Sequence, residues 1–146
     1  MYQKVLVPLD GSKRAEAILP YVEDLAKRFN SKVVFLFVEE PPMMLEFDEV
    51  IDREAFQKAI SNQKKHFHDY FDILSQQTRE KDIDVEVCYR RGPVVNAIIE
   101  TAQSEQANLV AIASHGHSGL SRAFYGSVAA ALLQQIDRPL LLIRSL

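Results

Sequence analysis

Asn108–Gln135 reads NLVAIASHGHSGLSRAFYGSVAAALLQQ. Its first part, Asn108 to Ser114, is a short aliphatic run, which predicts a buried strand. The chain then passes through a segment holding Gly116 and Gly119. That segment ends at Gly126-Ser127 as an Ala- and Leu-rich helix takes over, its pattern starting near Ala123 and running through Ala129 to Ile136. A strand feeding a helix through glycines is half of a parallel βαβ unit. The arrangement also suits an anion. Glycines allow close backbone approach and positive φ, and the unpaired N–H groups of a helix N-terminus attract negative charge. Ser127 adds a hydroxyl donor and Arg122 a charge partner. On motif grounds alone such a loop is more often a plain turn, by roughly three to one.

Working outward, four more apolar runs read as strands: Lys4–Leu9, Lys32–Val38, Asp84–Tyr89 and Pro139–Ile143. Helical patterns fill the gaps. Ala15, Ile18, Val22, Leu25 and Phe29 share one face, with Pro20 inside the pattern as an expected kink. Phe56, Ile60, Phe67, Phe71 and Leu74 mark a second helix, and Val94, Ala97, Ile98 and Ala102 a third. Strands alternating with helices predict an α/β fold with a mainly parallel sheet. Four strands are nearly continuous in apolar residues, as expected of strands buried on both faces. The third alternates, Val85, Val87 and Tyr89 against Asp84, Glu86 and Cys88, which predicts a half-exposed edge. The stretch from Glu39 to about Glu49, with Pro41-Pro42 and Met43-Met44, reads as a variable surface loop or a binding loop.

In a doubly wound sheet, ligands bind beyond the carboxyl ends of the strands at the switch point. Asp10-Gly11-Ser12 stands at that end of the first strand. If strands one and four are neighbours, Asp10 and Gly116 face one crevice. Asp10 then serves a ribose, a base or a metal-bound water, or else caps the first helix, with Ser12 competing for that task.

The bulk numbers narrow the classes. The 146 residues fit one domain, 1–146, of ordinary globular composition, with 47% hydrophobic and 25% charged residues. A net charge of −3 with scattered basic pairs argues against duplex nucleic acid. No run approaches a membrane span, and the N-terminal apolar stretch is too short for a signal-peptide core. Cys88 is the single cysteine, so no intrachain disulfide forms, and the expected location is the cytoplasm. Cys88 itself reads as a small filler residue on the polar side of its strand.

VLVPLDGS at the start, RGPVVNAII after the third strand, and ASHGHSGLSRAFYGSVAAALL leading to RPLLLI closely resemble the universal stress protein family over essentially the whole chain. Nucleotide-binding members of that family carry Gly, two residues, Gly, nine residues, then Gly followed by Ser or Thr. Gly116, Gly126 and Ser127 match, while Ala113 stands at the first glycine. The resemblance implies a doubly wound five-stranded parallel sheet of order 3-2-1-4-5 with helices on both faces, of the adenine nucleotide alpha hydrolase-like type. It implies ATP with Mg2+ or Mn2+ between strands one and four, on Pro8, Leu9, Asp10 and Val38 for the base side. Ala113, Gly116, Gly126 and Ser127 would hold ribose and phosphates, with Val128 in the same turn and His115 and His117 beside Gly116. It further implies a homodimer. The fifth strand, an apolar edge in that order, independently asks for cover by a second copy.

Other readings weigh less. His66 and His68 lie two apart on a helix and point to different faces. His115 and His117 have no nearby cysteine or carboxylate to complete a metal site, so no metal centre of the protein's own is expected. Three functional classes stay open: a nucleotide-gated signalling protein, a slow ATPase lacking an evident base, and a member that has lost nucleotide and works through its dimer surface. Ala113 separates the first from the third. Its methyl group costs little in extended backbone and about 1 kcal/mol at positive φ.

Overall fold

The computed structural model describes residues 1–40, 53–114 and 122–144. Five strands, β1 (Lys4–Pro8), β2 (Lys32–Glu39), β3 (Asp84–Arg91), β4 (Leu109–Ala113) and β5 (Leu140–Ile143), form one sheet in the order β3-β2-β1-β4-β5. All four pairings are parallel. The helices are α1 (Leu19–Phe29), α2 (Arg53–Arg79), α3 (Val94–Ser104) and α4 (Arg122–Gln135). The order expected from the resemblance is therefore the observed one, and β3 is the edge its alternation predicted.

Side chains alternate across each strand, so the sheet has two apolar faces. Val5, Val7, Val33, Phe35, Leu109 and Ala111 pack with Ile18 and Val22 on one side and Phe71 and Leu74 of α2 on the same side. Leu6, Val34, Leu36 and Val110 pack on the other side with Ile98 and Ala102 of α3 and Leu132 of α4. Burial on both faces explains why β1, β2 and β4 lack alternation in sequence. β5 does not share this burial. Its four residues are all half-buried although the run is wholly apolar.

Local chemistry ends the elements where the sequence permits. Pro20 lies in the first turn of α1 rather than inside it, because Ala15–Ile18 form a separate 3-10 turn. The expected mid-helix kink is thus a junction, and the missing proline N–H falls where a helix has no internal partner for it. Asn30 closes α1 in the left-handed region at φ 53°, its N–H donating to Ala26 O. Asn108 fixes the start of β4 against β1: its Oδ1 accepts Lys4 N–H at 2.8 Å and its N–H donates to Lys4 O at 2.8 Å. Arg138 Nη1 donates to Ala102 O and Ala107 O, both at 2.8 Å, tying the end of α3 to the entrance of β5. A cation at a helix C-terminus also suits the dipole.

Candidate functional site

The carboxyl ends of β1 and β4 are where the sheet opens. β1 and β2 stay in register through Pro8 and Leu36. β1 and β4 pair only at Val5–Leu109 and Leu6–Val110. The chain leaves β1 to one side and β4 to the other, which is the switch point where α/β sheets hold ligands.

At the end of β1, Pro8 and Leu9 are buried and Leu9 N–H donates to Leu36 O at 2.9 Å. Asp10 follows, half-buried. Its Oδ1 accepts both the backbone N–H of Ser12 at 2.9 Å and the Ser12 hydroxyl at 2.6 Å. Ser12 Oγ in turn accepts the N–H of Ala15 at 3.2 Å, at the start of the 3-10 turn. The capping contact therefore falls to Ser12, and Asp10 orients it. Gly11 makes this hairpin possible. It sits at φ +86°, and a Cβ there would lie 3.0 Å from Cε1 of Phe67. Any side chain would be both strained and crowded.

Phe67 is the residue at this site that sequence reasoning missed as a neighbour. Its ring stacks on Phe37 of β2, with centroids 4.1 Å apart. One turn on, Tyr70 donates to Glu16 Oε2 at 2.8 Å. Burial first, then this bond to a carboxylate, raises the Tyr70 pKa, so the phenol stays protonated. Together these contacts clamp α2 over the Asp10–Glu16 segment. The periodicity of α2 marks Phe67 as inward-facing, but a partner fifty-six positions away (Phe67 against Gly11) has no local signal.

On the opposite wall, Ala113 ends β4 in register with Ile143 of β5. The described non-glycine residues with positive φ are Asn30, Asp82 and Gln106, and Ala113 is not one of them. Its methyl group is buried in the cluster that holds Leu9, Ala15 and Ile18. The alanine therefore introduces no backbone strain at the first glycine position of the motif. Val38, in β2, and Val128, in α4, are half-buried and pack against the other apolar cluster. Ser127 is exposed. α4 begins at Arg122, beside the expected start near Ala123, so Gly126 and Ser127 lie in its second turn and the helix takes over before the glycine segment ends. Phe124 and Tyr125 extend the helical pattern backwards past the glycine. His115, Gly116 and His117 lie outside the described residues.

A separate group gathers on the α3 side of β3. Glu86, Cys88 and Glu105 bring ligand atoms within 4.8 Å of one another. Lys32 pairs with Glu86 at 2.8 Å and Lys4 with Glu105 at 3.5 Å. The Cys88 thiol donates to Glu105 Oε1 at 3.4 Å. Burial, then this bond, pushes its pKa up to about 11. Cys88 is thus the filler residue expected, but its face of β3 is covered by α3 and not open to water.

The model of the Universal stress protein family matches residues 1–144. The chain belongs to this family. Among relatives of this universal stress protein, YxiE of Bacillus subtilis is 27% identical over 99% of this chain and 100% of its own. The solved structure of MJ0577, a protein of Methanocaldococcus jannaschii, superposes with a TM-score of 0.82 at 22% identity, covering 100% of this chain and 98% of that one. A universal stress protein in complex with cAMP matches at TM-score 0.69 and 19% identity over 97% and 96% of the two chains. An Arabidopsis thaliana family protein with AMP bound matches at TM-score 0.69 and 16% identity over 99% and 92%. These likenesses establish the fold. No described helix of the universal stress protein is long and apolar enough to cross a membrane.

Proposed function

We propose that this chain binds an adenine nucleotide, ATP with Mg2+ or Mn2+, beyond the carboxyl ends of β1 and β4, and works in the cytoplasm as a nucleotide-gated signalling dimer joined through β5. One observation carries the reading. The β1–β4 pairing stops at Leu6–Val110 while β1–β2 continues to Pro8–Leu36 and β4–β5 to Ala113–Ile143, so the sheet parts between the Asp10–Ser12 turn and Ala113. The relatives with cAMP and AMP bound support the choice of adenine nucleotide.

In this reading Pro8, Leu9, Asp10 and Val38 form the base side. Ala113, Gly116, Gly126 and Ser127, with Val128, His115 and His117 beside them, take the ribose and phosphates. Extended backbone at Ala113 fits such a ligand, since the methyl is spent in the core. The bound cation would neutralise phosphate charge, and the Asp10 carboxylate would accept from a metal-bound water.

Calorimetric titration with ATP and Mg2+ tests this. The expected outcome is binding below about 1 mM. Gly126→Val, with an unchanged circular dichroism spectrum, is expected to lose at least about a hundredfold in affinity. No binding at millimolar ATP, or an unchanged affinity in the variant, refutes the proposal.

A further inference from the structure

Only the second half of α2 belongs to the core. Phe71, Leu74, Ser75 and Thr78 are buried. Over positions 54–66, Ile60 is the one described side chain that is even half-buried, and the others are exposed. The helix runs against the strands. Arg79, at its end, reaches Val85 near the start of β3, and Phe67 stacks on Phe37 near the carboxyl end of β2. The exposed half therefore continues past the carboxyl ends of the strands, on the side where the sheet parts. Positions 53–66 make an arm about 21 Å long, at about 1.5 Å per residue.

A helix of that length without a buried face is marginal in water by itself. Its order is propagated from the half of α2 that is held. The anchors nearest the arm are Phe67 and Tyr70, and both fasten α2 to the segment that follows β1. The Phe67 ring lies against Gly11, where a Cβ would be 3.0 Å from its Cε1. The Tyr70 hydroxyl donates to Glu16 Oε2 at 2.8 Å. Glu16 N–H donates to Ser12 O at 3.3 Å, and Ser12 donates its N–H and its hydroxyl to Asp10 Oδ1. The contacts thus run from Asp10 through Ser12 and Glu16 to Tyr70. Asp10 also acts on Tyr70 through space. After burial and the Glu16 bond, its carboxylate adds to the rise of the Tyr70 pKa.

A ligand that needs Asp10 in place binds best when these contacts are closed. When they open, ordering the hairpin subtracts from the binding free energy. The coupling is reciprocal, so a ligand favoured by the closed contacts favours them in return. Given nucleotide binding beyond β1 and β4, on which this inference rests, we propose that Phe67 and Tyr70 are positioning residues of the nucleotide site and that through them nucleotide occupancy sets the order of the arm at 53–66.

Two measurements test it: calorimetric affinity for ATP with Mg2+, and amide hydrogen exchange over 53–66 by mass spectrometry with and without saturating nucleotide. In the unaltered protein the nucleotide is expected to slow exchange of the arm at least about fivefold. Tyr70→Phe removes one hydroxyl and keeps the ring. It is expected to weaken ATP binding at least about fivefold and to abolish that slowing. Glu16→Ala should do the same, and the double variant should lose no more than either single one. Glu16→Gln keeps an acceptor for the phenol and should hold affinity within about twofold of the unaltered protein. Lys81→Met cuts the 2.8 Å pair of Lys81 with Glu23, at the far end of α2, and should leave affinity unchanged. No ATP binding by the unaltered protein overturns nucleotide binding and the inference with it. Where the unaltered protein binds, an unchanged affinity in Tyr70→Phe, equal losses in Glu16→Gln and Glu16→Ala, an equal loss in Lys81→Met, or arm exchange indifferent to nucleotide each overturns the inference alone.

Discussion

The two edges of the sheet solve the same problem differently. β3 is eight residues long and polar at its margins. Arg79 and Arg90 take two of its outward carbonyls, and Lys32–Glu86 and Arg91–Glu39 bridge it to β2. Arginines on the outward carbonyls and charged side chains along the strand blunt an edge against unwanted pairing. β5 is four residues long, wholly apolar and half-buried throughout. Val110 N–H donates to Pro139 O and Ser114 N–H to Ile143 O, so Leu140 and Leu142 turn their peptide groups outward. One edge is closed by its own side chains except at Val87. The other is left for a surface that can bury leucine, which is why the proposed dimer uses β5.

The largest effect is expected from Leu142→Pro. It removes an outward N–H of β5 while the β4 ladder is kept, and should lower the association constant about a hundredfold or more, read by sedimentation equilibrium. Val87→Pro on the opposite edge should leave the oligomeric state unchanged. If the two variants behave alike, the contrast between the edges fails.

The thiol of Cys88 reports whether β3 stays covered by α3. With its pKa pushed up from 9.0 to about 11, alkylation at pH 8 should be about a hundredfold slower than for an unperturbed thiol. The sign for stability follows from linkage. Between about pH 9 and pH 11 the unfolded thiol ionises while the folded one does not, so stability should fall through that window. Labelling at the rate of a free thiol would show β3 opening from α3.

Arg79→Leu keeps the aliphatic stem but strips the Val85 carbonyl of its donor. The expected cost is about 1 kcal/mol, seen as a fall of about 2–4 °C in Tm, with more aggregation on heating. Smallest, on the β5 side, is Ala113→Gly. Restoring the motif's glycine should cost about 1 kcal/mol or less through backbone entropy and a lost buried methyl, and should leave nucleotide affinity within about twofold. A large gain in affinity would mean that the methyl group faces the ligand after all.

Much of this is legible in the sequence. The unbroken apolar runs marked β1, β2 and β4, and the alternation Val85, Val87, Tyr89 marked β3 as an edge, because burial on one face or two writes directly into periodicity. Pro20 reads as a kink because side-chain periodicity hardly distinguishes a 3-10 turn leading into an α-helix from one bent helix. The start of α4 is legible to within a residue, since the helical pattern near Ala123 carries through Gly126 although glycine reads as punctuation. At the site, the Asp10-Gly11-Ser12 hairpin was visible as a position but not as a division of labour between Asp10 and Ser12.

By itself the sequence determined the alternation of strands and helices, the family, and the two segments that end β1 and β4. Those features are local, and local patterns of polarity and turn chemistry are sufficient for them. Only the tertiary structure decided that the methyl of Ala113 is buried in extended backbone, that Phe67 closes over Gly11, and that Ser75 is buried with its hydroxyl unpartnered among the described residues. Each of these depends on groups brought together from different elements, and no spacing along the chain encodes such a distance.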